Sequence, residues 1–300
     1  MPLQFVSTVL ISGQIMTVGC KEIFRGLVEL LDSLYGQQEA EAIAYRILDL
    51  QFAIGKLDFL LNKEIELPTS WEQIKLELQA GKPFQYVLGK EFFCDLKIGL
   101  NESTLIPRPE TEELVGLILS KVRGGKILDI GTGSGCIPLS IKKSLPQAEV
   151  FAWDISELAL AQAKKNAENL QINVDFQLQD VFEWRNSEGN WDVIISNPPY
   201  VLEEEKKEMK SHVLDFEPPL ALFVPNENPL LYYKAIAEMA KERLNPGGFL
   251  YFEINQLFGK EVKQMMENIG FENVQIIKDF RGKERFVFGS WLREPQPPAS

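Results

Sequence analysis

The chain has 300 residues, 45% of them hydrophobic and 25% charged, with a formal net charge of −12. This composition fits an ordinary soluble globular protein, and no run reaches the roughly eighteen consecutive apolar residues of a membrane span. The acidic balance disfavours a general nucleic-acid binder, which offers phosphates a basic stripe, and suits a basic protein partner.

Residues 1–20 read as a loosely ordered extension. Thr17-Val18-Gly19-Cys20 faintly resembles a lipoprotein cleavage site, but no Lys or Arg precedes Lys21, so the positive start of a signal peptide is missing. Met16 is a second candidate start. Residues 21–82 read as a helical bundle. Ile23, Leu27, Leu30, Leu31 and Leu34 recur at helical spacing, as do Ala40, Ile43, Ala44, Ile47 and Leu48 up to Gly55. Ser70 is a candidate N-cap for a helix from Trp71 to Leu78, with Gly81 as its stop. Residues 83–105 carry β-type residues, among them Tyr86, Val87, Phe92 and Phe93, broken by Gly89 and Gly99, and predict a linking hairpin.

From residue 106 to 292 strands and helices alternate. Pro109 suits the first turn of a helix through Leu114, Val115, Leu117 and Ile118. Strands are predicted over 126–130, 150–153, 174–178, 193–196, 250–254, 274–277 and 285–289. Helices are predicted over 156–170, 229–244 and 262–269. The pattern implies a mostly parallel sheet covered on both faces, with one antiparallel edge strand. The tail over 293–300 reads as disordered.

Two motifs carry chemistry. In Gly131-Thr132-Gly133-Ser134-Gly135, after a buried strand, glycines allow a sharp turn and close approach of a ligand. Such loops lie at the carboxyl ends of parallel strands, where open α/β sheets bind ligands. Asp154 ends the next strand and can accept bonds from both hydroxyls of a ribose. Asp180 ends the third, and the turn at Val181-Phe182 would flank an adenine. Dinucleotide-binding enzymes place similar residues, but the G-x-G-x-G spacing differs from theirs.

The second motif is Asn197-Pro198-Pro199-Tyr200, after the strand over 193–196. Two prolines stiffen the turn. The Asn197 side-chain oxygen and the Pro198 carbonyl can accept two N–H bonds from one NH2 group, and Tyr200 offers a ring face. This suits a planar –C–NH2: an adenine or cytosine amino group, or a glutamine amide. Two directed acceptors orient a nitrogen whose lone pair is delocalised, a proximity effect worth up to ~7–11 kcal/mol in well-oriented systems.

These motifs, together with Phe84-Gln85-Tyr86-Val87-Leu88-Gly89, Leu105 to Glu112, Asp154-Ile155-Ser156, Glu217 to Leu222 and Asp279 to Phe286, resemble the release-factor glutamine methyltransferases (the HemK/PrmC family) over residues 21–291. The resemblance implies a Rossmann-like class I methyltransferase sheet of seven strands over 106–292, and a substrate-recognition bundle over 21–82. It implies methyl transfer from S-adenosylmethionine, leaving S-adenosylhomocysteine, to the glutamine amide in the Gly-Gly-Gln tripeptide of peptide chain release factors. Gly131, Thr132, Gly133, Ser134, Gly135, Asp154, Val181, Phe182 and Asn197 would contact the methyl donor. Asn197, Pro198, Pro199 and Tyr200, with Phe92 and Arg108, would take the glutamine, with Asn197, Pro198 and Tyr200 as the catalytic set. Some bacterial members have Trp where this chain has Val181, a departure that Phe182 would compensate.

The start of the helix at Pro109 accounts for Glu110, Glu112 and Glu113 through the helix dipole, but leaves Arg108 to an acid or to the incoming peptide. Glu203 to Glu208 reads as a solvated helical face. Three cysteines at wide spacing and a single histidine, His212, give no metal signature and little material for His-dependent catalysis. A cytoplasmic monomer that binds neither membrane nor nucleic acid directly is the expectation. The alternative is a nucleic-acid amino-methyltransferase, since Asn-Pro-Pro-Tyr alone does not separate glutamine from adenine.

Overall fold

The computed structural model describes residues 16–209 and 211–292. They form two compact units, divided between Leu88 and Gly89. The expected extension up to residue 15, the tail over 293–300 and the side chain of His212 lie outside the described residues.

The first unit runs β1 (Thr17–Gly19), α1 (Cys20–Tyr35), α2 (Gln37–Phe52), α3 (Lys56–Leu60), β2 (Glu64–Glu66), α4 (Trp71–Gln79) and α5 (Phe84–Leu88). Residues 17–20, read from the sequence as part of the extension, are ordered. β1 pairs antiparallel with β2, Val18 opposite Ile65, and Cys20 starts α1 fully buried. So short a strand has no local signature, because its stabilising partner is distant in sequence. Gly36 at φ +77 separates α1 from α2. Leu27, Leu31, Ile47 and Leu48 bury completely or nearly so between these helices, each worth roughly 1.5–3 kcal/mol. Leu34, expected on the same face, is exposed. Tyr86 and Val87 are helical, not part of a hairpin. Their amides donate to the Pro83 carbonyl, and Gly89 at φ +66 follows the helix, so flanking turn residues override β propensity.

The second unit opens with a hairpin, β3 (Lys90–Phe93) and β4 (Leu96–Gly99). Its two-residue turn, Cys94-Asp95, has both φ angles positive, as a right-twisted hairpin requires. There follow α6 (Pro109–Lys121), β5 (Lys126–Ile130), α7 (Cys136–Ser144), β6 (Glu149–Asp154), α8 (Glu157–Leu170), β7 (Asp175–Leu178) and β8 (Trp191–Ser196). After β9 (Val201–Leu202) come α9 (Ser211–Phe216), α10 (Pro219–Leu222), β10 (Phe223–Val224), α11 (Leu231–Arg243), β11 (Leu244–Glu253), α12 (Gly259–Ile269), β12 (Glu272–Lys278) and β13 (Glu284–Trp291).

Seven strands form one sheet in the order β12-β13-β11-β8-β5-β6-β7. β5, β6, β7, β8 and β11 pair in parallel. β13 is antiparallel to both β11 and β12, so the one reversed strand sits one place in from that edge. Parallel strands with helical crossovers align the carboxyl ends of β5, β6, β8 and β11 on one side. Burial of Leu128, Ile194, Leu250, Phe252 and Val287 anchors the sheet centre. The pair β9–β10 ties the chain after β8 to the segment after α10. Among the described residues no helix is long and apolar enough to cross a membrane, and no group of three or more His, Cys, Asp or Glu could hold a metal ion.

Candidate active site

The glycine loop leaves β5 with Gly131, Gly133 and Gly135 at φ +74, +55 and +79. A Cβ at Gly131 or Gly133 would meet nothing within 4 Å, whereas one at Gly135 would lie 3.1 Å from the Ala163 Cβ on α8. The first two glycines therefore keep space open, and the third lets helix and loop pack. The Gly131 and Thr132 amides donate to the Trp153 carbonyl at 2.9 and 3.0 Å.

Asp154 then joins loop to helix. One carboxylate oxygen accepts from the Gly133 amide at 2.8 Å, and the other from the Ser156 amide at 2.9 Å. Burial still pushes its carboxyl above the ordinary value, with those backbone bonds opposing. Behind it, Asp129 is buried, and neither of its carboxylate oxygens nor the Thr132 hydroxyl has a hydrogen-bond partner within normal geometry. Burial raises the Asp129 carboxyl to about 7, the nearby Thr132 hydroxyl pulling it down and Asp154 adding to the rise.

These residues open onto one cavity at the strand ends, with about 960 Å³ of empty space, open solvent included. Gly131, Gly133, Asp154, Val181, Phe182, Asn197, Pro198 and Pro199 line it. Thr132, Ser134 and Gly135 do not line it: Thr132 and Ser134 turn inward and are buried. Val181 is packed mostly in the core with Trp153 and Trp184. Phe182 is 45% exposed, its ring 5.4 Å from that of Tyr232, which also lines the cavity. Tyr232, on the first turn of α11, had no marker in the sequence.

At the end of β8 the Ser196 hydroxyl donates to the Ile130 carbonyl at 2.7 Å, tying the two motif-bearing strands together. The Asn197 amide donates its NH2 to the Thr111 hydroxyl oxygen at 3.3 Å. Thr111 in turn donates to Glu253 Oε2 at 2.7 Å, and the Tyr200 hydroxyl donates to Glu253 Oε1 at 3.3 Å. Asn255 holds the Tyr200 carbonyl at 3.1 Å and Glu205 at 3.2 Å. Glu205 also accepts from the Leu202 amide at 2.7 Å, so this acid is structural, unlike the solvated face expected over 203–208. Tyr200 thus stands beside the lining, anchored from behind. Burial raises the Glu253 carboxyl to about 7, against the Thr111 bond, the Arg285 charge and the Tyr200 bond. Neither Glu253 nor Thr111 is legible as a site residue from the sequence, since one ends a strand and the other lies in the first turn of a helix.

Arg108 and Phe92 do not line the cavity. The Arg108 guanidinium is held by Glu217, and the Phe92 ring has Lys97 Nζ 6.0 Å from its centroid. Above the cavity, Leu105 and the segment with Pro218, Leu220 and Ala221 complete the wall.

Residues 111–216 match the family model described as "Methyltransferase small domain". The chain is 46% identical over 263 residues to the release factor glutamine methyltransferase of Bacteroides thetaiotaomicron, covering 86% of this chain and 95% of that one. It is 43% identical over 270 residues to the protein of that name from Flavobacterium psychrophilum, covering 87% and 95%. Among solved structures, a methyltransferase from Pyrococcus furiosus superposes with a TM-score of 0.50 at 22% identity, over 65% of this chain and 88% of that one, a likeness of fold. By sequence similarity along nearly its whole length, the chain belongs to the release factor glutamine methyltransferase family.

Proposed function

We propose that this protein transfers a methyl group from S-adenosylmethionine to the side-chain amide nitrogen of the glutamine in the Gly-Gly-Gln tripeptide of a peptide chain release factor. The observation that carries this reading is the orientation of Asn197. Its NH2 end is engaged by Thr111, which leaves its Oδ1 end to accept, and Asn197 and Pro198 both line the cavity. A pair of acceptors there matches the two N–H bonds of a primary amide.

The residues fit the methyl donor. Gly131 and Gly133 leave open space where a side chain would stand. Asp154 offers a carboxylate at the cavity wall, and Phe182 with Tyr232 offers aromatic faces. S-adenosylmethionine supplies a sulfonium-activated methyl group when bound. The protein's own part is positional: Asn197 and Pro198 hold the amide nitrogen in line, Tyr200 anchors their turn from behind, and the apolar wall of Leu105, Leu220 and Ala221 limits water. A positioned polar group of this kind is worth roughly 2.7–4 kcal/mol of barrier. The family relationship points to a release factor as the partner.

The test is transfer of label from S-adenosylmethionine to a bacterial release factor, to its Gln→Ala variant, and to duplex DNA. Label on the wild-type release factor alone is expected. Label on DNA but not on the release factor would instead identify a nucleic-acid amino-methyltransferase.

A further inference from the structure

Behind the Asn-Pro-Pro-Tyr turn lies a chain of hydrogen bonds whose direction is fixed by proton count while Glu253 is ionised. Thr111 is 3% exposed and Glu253 1%. A threonine hydroxyl has one proton. Thr111 gives its proton to Glu253 Oε2 at 2.7 Å. Its oxygen can then only accept, and it accepts from the Asn197 NH2 at 3.3 Å. The two ends of an asparagine amide have nearly the same shape and opposite hydrogen-bonding sense. With the nitrogen end committed to Thr111, the oxygen end is the one left to accept from a ligand in the cavity that Asn197 lines.

A proton on Glu253 would remove this constraint. The carboxylic acid could donate to Thr111, and the hydroxyl could turn and donate to Asn197 Oδ1. The inverted asparagine would then present NH2 to an incoming NH2, donor against donor. We propose that Thr111 and Glu253 are a positioning pair that holds the Asn197 amide with its oxygen toward the acceptor nitrogen, so that methyl transfer requires Glu253 ionised. The inference rests on the reading above that Asn197 takes the acceptor amide.

The surroundings of Glu253 put its ionisation where the pair is sensitive. From the turn after β8, the Tyr200 hydroxyl donates to Oε1 at 3.3 Å. On β13, Arg285 favours the carboxylate and is itself paired with Asp279 at 3.3 Å. On α6, Thr111 favours the carboxylate and the charge of Glu110 opposes it. From α11, the Tyr233 hydroxyl donates to the Glu253 backbone carbonyl at 3.4 Å. Burial outweighs the favourable partners and leaves the carboxyl at about 7.

The test is single-turnover methyl transfer to a release factor between about pH 5.5 and 8.5, with donor affinity measured separately by calorimetry. The wild-type rate should fall as pH drops through about 7. Thr111→Val should lower the rate roughly tenfold, the scale of one net hydrogen bond, without weakening donor binding. Thr111→Ser should restore most of it. Glu253→Gln should abolish the acid limb. In the free protein, the Glu253 side-chain carboxyl carbon followed by NMR should titrate at higher pH in Thr111→Val, having lost a donor. A wild-type rate and acid limb in Thr111→Val would overturn the pair. Should that variant fail to fold, an acid limb unchanged in Glu253→Gln would do the same. Asn197→Ala belongs in the series. If it keeps full activity, or the wild-type protein leaves the release factor unlabelled, the proposed function fails and takes the pair with it. If Asn197→Ala is inactive and Thr111→Val is not, the pair alone fails.

Discussion

One nitrogen of the Arg108 guanidinium lies 2.7 and 2.8 Å from the two carboxylate oxygens of Glu217, across 109 positions of sequence. The Ile106 amide adds a third hydrogen bond to this carboxylate at 3.3 Å. The clasp ties the segment before α6 to the one leading into α10, and both segments supply cavity wall. Arg108 is therefore bound to an internal acid, the first of the two roles its sequence left open. Glu217 is buried, while a third of the Arg108 side chain is exposed.

Removing one partner should cost more than removing both, because a lone buried carboxylate keeps its desolvation penalty. Arg108→Met is expected to destabilise by roughly 1.5–3 kcal/mol, the range for a hydrogen bond to a charged group. Arg108→Met combined with Glu217→Met should be less destabilised than the sum of the two single variants. Denaturant melts of the four proteins measure the coupling. Additive losses would show that the clasp contributes nothing to stability.

Gly131 and Gly135 share a positive φ but differ in what surrounds them. Alanine at either should cost ~1–2 kcal/mol for the left-handed backbone. At Gly135 the new methyl also meets Ala163 at 3.1 Å, so Gly135→Ala should melt lower than Gly131→Ala. At Gly131 the methyl faces open space on the cavity wall, so Gly131→Ala should lose more affinity for S-adenosylmethionine. Paired thermal melts and calorimetry give both orders, and reversal of either would contradict this division of roles.

The contrast shows what the sequence could reveal. The glycine loop and Asn197 to Tyr200 were legible because turn chemistry is local: glycines for positive φ, prolines for a fixed one. β5 was bounded correctly over 126–130 for the same reason, as a short apolar run ended by glycine. The pairs that hold the site were not legible. Thr111 meets Glu253 across 142 positions, and each alone reads as an ordinary helix-start or strand-end residue. Tyr86 and Val87 misled because their strand propensity was outweighed by Pro83 and Gly89. β1 was hidden because its partner strand, β2, is remote in sequence.

Asp129 and Glu253 make the stability of the free protein pH-dependent, with the Asp154 carboxyl raised in the same direction. Burial raises the Asp129 and Glu253 carboxyls to about 7. Between about pH 4 and 7 the native state therefore retains protons that the unfolded chain has released. Stability should fall as pH rises through that window and level off above it. Asp129→Asn removes one of these groups. It should flatten the slope and raise stability at pH 8 by up to about 4 kcal/mol, three units at 1.36 kcal/mol each. Thermal melts at pH 5 and 8 decide it, and a variant with the wild-type slope would show that Asp129 does not titrate there.

The Val181-Phe182 side of the cavity offers a sharper division, between neighbours. Val181 contributes to the core cluster with Trp153 and Trp184, whereas the Phe182 ring stands half-exposed beside Tyr232 with an interplanar angle of 48°. Asp180 accepts from the Phe182 amide at 2.8 Å and fixes the turn that presents the ring. A planar ligand edge would meet Phe182 and Tyr232, with Val181 contributing shape. Phe182→Ala is expected to weaken binding of S-adenosylmethionine by ~0.5–1.5 kcal/mol, the value of an aromatic pair beyond its area, with little change in melting temperature. Val181→Ala should do the opposite, leaving a small core cavity at a cost of roughly 1–3 kcal/mol and donor affinity nearly intact. Calorimetric titration and thermal melts on both variants separate the roles. If Val181→Ala loses more affinity than Phe182→Ala, the ligand contacts the aliphatic side of the turn and not the Phe182 ring.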